Sequence, residues 1–147
     1  MTKFENEIRK NGYLVFTNEG DSMMPLLREH KDIVVIRRPE ETPKKNDVVL
    51  FKRPNGSYAL HRIVKITGLG QYRIVGDNRT KAETVFEEWI IGILTEIIKD
   101  GKHISVESEE YRAYLKKLPG NRFKLRIRTF FLKIRRGLAK IFGRKEK

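Results

Sequence analysis

Residues 48–66 read Val48-Val49-Leu50-Phe51-Lys52-Arg53-Pro54-Asn55-Gly56-Ser57-Tyr58-Ala59-Leu60-His61-Arg62-Ile63-Val64-Lys65-Ile66. The first four residues are apolar and mostly β-branched or aromatic, the mark of a short buried strand. Pro54 fixes its own φ, and Asn55-Gly56 accepts positive φ, so a turn follows. Tyr58 to Ile66 alternates in part and reads as the returning strand of a hairpin.

The same pattern extends outward in both directions. Upstream, Ile33 to Ile36 and Tyr13 to Phe16 read as strands, and residues 3–11 as one short polar helix. Thr17 to Asp21 is turn-like, and Glu40 to Asn46 is a polar loop. Downstream, Tyr72 to Val75 is a strand closed by a Gly76-Asp77-Asn78 turn. Glu83 to Glu88 is expected to make a single helical turn. Ile90 to Ile98 is apolar and β-branched, and Asp100-Gly101 predicts a second hairpin before His103 to Val106. Short strands separated by turns favour a compact, coiled, mainly β domain with antiparallel pairing over a βαβ fold. There is no internal repeat.

The period changes after residue 107, so the chain divides into a β-domain at 1–107 and a basic helical tail at 108–147. Ser108 is placed to cap a helix from Glu109 to Leu118, ended by Pro119-Gly120. Beyond it, Phe123, Ile127, Phe130, Phe131, Ile134, Leu138, Ile141 and Phe142 recur at three- and four-residue spacing. Lysines and arginines fill much of the remaining surface, which makes a second, amphipathic basic helix.

The net charge of +13 is concentrated in that tail. Thirteen positive groups lie between Lys116 and Lys147, opposed by Glu146 alone. An anionic partner should therefore meet the tail. A membrane surface reached through residues 120–147 is the first reading, packing against the domain or a protein partner the second. Nucleic acid is the least favoured, since no aromatic-basic sheet motif or zinc module supports it. The sequence has no cysteine, which excludes disulfides, thiolate metal sites and cysteine catalysis. His30, His61 and His103 are scattered, so no metal and no cofactor are expected. No apolar run approaches the roughly 20 residues of a spanning helix, and residues 1–12 are too polar for a secretory signal. The expected location is the cytoplasm, peripheral to the inner face of the membrane.

Three places offer catalytic groups. Ser22 sits in a Gly-containing turn just after a strand, where a hydroxyl can be presented and a backbone N–H can face an oxyanion. By itself a turn serine is far more often a plain surface or capping residue. His61 lies on a strand between apolar positions and titrates near neutrality, as a general base must. Its ordinary alternative is a half-buried histidine bonded to a backbone group. Asp77 and Glu83 are the acids that can orient an imidazole, although Asp77 can equally bond its own turn.

Together these stretches resemble a known family. Gly20-Asp21-Ser22-Met23-Met24-Pro25 looks like the Gly-X-Ser-Met-X-Pro serine box of type I signal peptidases. Asn46-Asp47-Val48-Val49 is similar to their Gly-Asp-Val-Val strand, with Asn46 standing for a glycine. His61-Arg62-Ile63-Val64 resembles the histidine box of the archaeal, endoplasmic-reticulum and spore-former branch, and Gly76-Asp77-Asn78 matches the Gly-Asp-Asn box. The four boxes cover Tyr13 to Lys99, and the whole chain most resembles small bacterial S24/S26-family peptidases.

The resemblance implies a coiled β fold of the signal-peptidase type and a serine endopeptidase acting on a peptide or protein precursor. Ser22 would be the nucleophile and His61 its base, where housekeeping relatives use a lysine. The orienting acid would be Glu83 or Asp77. The Ser22 N–H would help bind the oxyanion, and Met23, Met24 and Pro25 would shape the serine turn and the substrate groove. The alternative is an inactive peptidase-fold module that binds through its tail. Self-cleaving repressors share the fold, but residues 1–20 are too short to hold their helix-turn-helix domain.

Overall fold

β-Branched and aromatic residues crowd the first hundred positions, and the computed structural model, which describes residues 2–143, turns them into eight strands. Helix α1 (Lys3–Asn11) leads into β1 (Tyr13–Thr17), β2 (Ile33–Arg37), β3 (Val48–Lys52), β4 (Tyr58–Gly68) and β5 (Gln71–Val75). Then come β6 (Glu83–Phe86), a 3₁₀ turn at Glu87–Trp89, β7 (Ile90–Lys99), β8 (Lys102–Ser105) and helix α2 (Glu109–Gly143).

All pairings are antiparallel, in the order β1-β2-β7-β3-β4-β5-β6, with β8 also pairing β7. Strand β7 pairs with β2, β3 and β8 along its length. Register shifts at Val35/Ile36 and Leu50/Phe51 bend the neighbouring ladders, as bulges do. The expected mainly antiparallel β-domain with a C-terminal helix is the architecture found.

Strand β3 explains why the sheet coils. Val48, Val49, Leu50 and Phe51 are all buried, so both faces of the strand must be covered. Val48 and Leu50 join a core with Leu14, Met23, Leu27, Ile36 and Leu94. Val49 and Phe51 point the other way, into a second core with Ile63, Tyr72, Ile74 and Val85. A sheet with apolar residues on both faces has to curl over itself. Helix α1 closes one end: Thr2 N–H and the Tyr58 hydroxyl donate to Glu5 Oε2 at 2.8 and 3.2 Å.

Two sequence expectations are corrected. Glu83 to Phe86 is a strand paired with β5, and the helical turn begins only at Glu87. The alternation decides it: Val85 is fully buried while Thr84 is exposed, which a pleated strand achieves and a single helical turn does not. The second correction is in the tail. Ser108 does cap α2, its Oγ accepting from Tyr111 N–H at 3.2 Å, but Pro119 sits inside one continuous helix. An interior proline removes a bond to the carbonyl four residues back and costs about 3 kcal/mol. Contacts on either side offset that cost, since Leu118 is buried on the domain and Arg122 reaches Asp77 at 3.3 Å. Residues 144–147 of the predicted tail lie outside the described residues.

Candidate active site

The serine turn is held from inside and from behind. Gly20 takes φ of 81°, which reverses the chain after β1 at little cost. Met23, Leu26 and Leu27 then plunge into the first core, leaving Ser22 half-buried and Met24 and Pro25 exposed. Behind it lies the Gly76-Asp77-Asn78 turn. Asn78 N–H donates to the Ser22 carbonyl at 2.8 Å, and Asn78 Nδ2 donates to the Asp21 carbonyl at 3.1 Å. Arg79 Nη2 reaches Asp21 Oδ1 at 2.5 Å. A Cβ on Gly76 would come within 2.5 Å of the Ser22 carbonyl oxygen, so glycine permits this close approach.

Met23 is sealed in the core and its sulfur accepts from Asp77 N–H at 3.5 Å. Expected to shape the serine turn and the substrate groove, it packs the turn from within and does not face the groove. Met24 and Pro25 remain on the surface beside Ser22.

His61 is opposite Val49 in the β3–β4 ladder, on the face of the second core. Its ring lies 6.1 Å from that of Phe51, and its side chain is 14% exposed. His61 Nδ1 is 3.5 Å from Glu83 Oε1, longer than a hydrogen bond, and this buried nitrogen has no other partner among the described residues. Glu83 is gripped instead by Arg53, whose Nε and Nη2 donate to Oε2 and Oε1 at 2.9 and 2.7 Å. Those hydrogen bonds and the guanidinium charge hold the Glu83 carboxyl below its ordinary range, despite burial. Burial, aided by the Arg53 charge, holds the His61 pKa below 6.5 against the pull of Glu83. The imidazole is therefore neutral at cellular pH, with one nitrogen turned to the acid.

Ser22 and His61, distant in the chain, line one cleft of about 550 Å³. Arg53 and Arg79 border it, and Phe16, Leu50 and Tyr58 supply apolar wall. A cleft with an apolar side and a few convergent polar groups has the usual make-up of a binding site. Among the described residues no three His, Asp or Glu side chains gather as a metal ion would need.

Asp77 has a different place. His61 and Arg62 are neighbours on β4, so their side chains leave on opposite faces. Arg62 Nε and Nη2 donate to Asp77 Oδ1 and Oδ2, each at 2.8 Å. The Tyr114 hydroxyl donates to Oδ2 at 2.7 Å, and Arg122 adds its contact to Oδ1. Arg62 Nη1 donates to the carbonyl of Asn46, which holds φ of 78°, and to the Tyr111 hydroxyl. Burial works against the Arg62 cation, but the Asp77 bonds and charge outweigh it and raise its pKa. Burial and the same carboxylate push the Tyr114 phenol upward. Every recorded contact of the Asp77 carboxylate is to these groups and none is to His61, so the structure brings Glu83, not Asp77, to the imidazole.

Sequence reasoning missed Arg53, Arg62, Tyr114 and Arg122. The signal for Arg62 was available: a charged residue in an otherwise buried stretch of strand demands a counter-charge. Arg53 lies 30 residues from Glu83, and nothing local announced their pairing.

Against families of known proteins, residues 2–98 match the family described as peptidase S24-like. The chain belongs to the peptidase S24-like family. The S24-like match covers Ser22, His61, Asp77 and Glu83 and ends near the close of β7, before α2. Membership supports a peptidase-type function in general and suggests a serine hydrolase. No curated protein matches this S24-like chain.

Proposed function

We propose that this S24-like protein is a serine endopeptidase of the signal-peptidase type that cleaves a leader or signal peptide, or another precursor, at an anionic membrane surface. The observation that carries the reading is the shared cleft, which exposes Ser22 and a neutral, acid-facing His61 to the same bound chain.

In the proposed reaction Ser22 Oγ attacks the scissile carbonyl carbon, and its proton passes to His61 Nε2, since Nδ1 faces Glu83. The imidazolium gains from Glu83 what the free base does not need, and the gap to the carboxylate tightens as charge develops. The oxyanion takes a hydrogen bond from the Ser22 N–H. His61 then returns the proton to the leaving amine, the C–N bond breaks, and an acyl-enzyme remains. Water attacks that ester with His61 again as base, releasing the acid and restoring the Ser22 hydroxyl. Arg53 keeps Glu83 ionised and in place.

Helix α2 supplies the membrane part of the proposal. No helix among the described residues is long and apolar enough to cross a bilayer. Yet Phe123, Phe130, Phe131, Leu138, Ile141 and Phe142 are exposed along α2, between lysines and arginines. Such a helix lies in the headgroup layer, each basic group adding about 1 kcal/mol near an anionic leaflet.

The deciding experiment is acylation by a fluorophosphonate, read by intact mass. A single adduct on the wild type that is absent from Ser22→Ala is expected. A folded wild type that never acquires it ends the enzyme reading and leaves a binding module. Co-sedimentation with anionic and neutral vesicles across salt tests α2, and equal binding to both removes the membrane.

A further inference from the structure

A second cavity lies where the turn after β5 meets α2. It is small, about 100 Å³, and Arg79, Arg122 and Arg126 line it together with Thr80. Val64, Val75 and Ala82 make the remaining wall, and no carboxylate lines it.

The nearby acids are already committed. Asp77 accepts from Arg62 on both oxygens at 2.8 Å and from the Tyr114 hydroxyl at 2.7 Å, which leaves Arg122 a 3.3 Å share of one oxygen. Arg79 donates from Nη2 to Asp21 and from Nη1 to the Asn78 carbonyl at 3.1 Å, which leaves its Nε and second protons unassigned. Arg126 enters no ion pair among the described residues, and its side chain is exposed at the rim. Burial lowers the Arg122 pKa, and the Arg62 charge beside it adds to the effect, while Asp77 only partly opposes them. Two carboxylates thus face four guanidiniums across one small region.

Like charges held this close repel unless an anion joins them. Guanidiniums present planar forks of donors that match phosphate oxygens, and a threonine hydroxyl adds a neutral donor. A carboxylate would satisfy one fork. A tetrahedral oxyanion of charge near −2 offers acceptors to all three. We propose that this pocket binds a phosphate group, either free or as the headgroup of an anionic lipid. The site does not rest on the peptidase reading.

Inorganic phosphate is titrated calorimetrically into the full chain at low salt, comparing wild type with Arg126→Gln and Arg136→Gln. Both positions are exposed on α2, and the two variants lose the same charge. Saturable binding is expected, weakened about tenfold by Arg126→Gln and left unchanged by Arg136→Gln. Vesicles of phosphatidic acid in phosphatidylcholine provide the second arm. If Arg126→Gln weakens vesicle binding more than Arg136→Gln does, the headgroup is the source. If only the phosphate titration separates the two variants, the ligand is free phosphate. If neither measurement separates them, the affinity is general charge and the proposal is overturned.

Discussion

Two arginine–carboxylate pairs stand on either face of strand β4, one built on Arg62 and the other beside its neighbour His61, and they are opposite in character. Arg62 and Asp77 are sealed, at 1% and 0% exposure, with every oxygen taken. Arg53 and Glu83 are about a third exposed, and beside them one histidine nitrogen is still without a close partner. The comparison teaches how to tell an acid that holds a fold from one that can do chemistry. A saturated carboxylate has no capacity left when a proton moves nearby. An under-coordinated one, next to a base of lowered pKa, does.

The sharpest way to break this contrast is to neutralise each acid in turn. Asp77→Asn strands the Arg62 cation in the interior and should cost about 3–5 kcal/mol in denaturant unfolding. Glu83→Gln should change stability by about 1 kcal/mol or less, as a partly exposed pair does, while slowing Ser22 acylation at least about tenfold. Equal losses of stability in the two variants would erase the distinction. A smaller effect is expected at Gly76→Ala, where the added methyl forces the Ser22 carbonyl to move. About 1–3 kcal/mol and slower acylation should follow. Wild-type values for both would mean that the turn does not brace the serine.

The smallest effect separates Arg53 from a purely structural role. Its charge lowers the His61 pKa, so Arg53→Gln should raise it. The neutral base then appears only at higher pH, and the midpoint of the acylation rate against pH shifts to the alkaline side. An unchanged or acid-shifted midpoint would remove Arg53 from the site.

Much of this was legible in residues. Val48 to Phe51, the Pro54-Asn55-Gly56 turn and the Asp100-Gly101 corner announced the hairpins, because local sterics set them. Ser22 and His61 were visible as chemistry but not as neighbours, since only the coiling of the sheet brings residues 22 and 61 to one cleft. Pro119-Gly120 misled for the opposite reason. Its local preference is to stop a helix, and Leu118 and Arg122, docking on the domain, overrode it. The choice between Asp77 and Glu83 was beyond any local rule, because it turns on which face of β4 each acid meets.

The contact of Arg122 with Asp77 lies past the proline, so the first turn of α2 beyond Pro119 is held against the Gly76-Asp77-Asn78 corner. Asp77 belongs to the same three-residue corner whose next amide grips the Ser22 carbonyl. Arg122 and Asp77 thus connect the post-proline turn of α2 to the wall behind the nucleophile. Were α2 to lie on the proposed membrane surface, that contact would set which way the cleft faces.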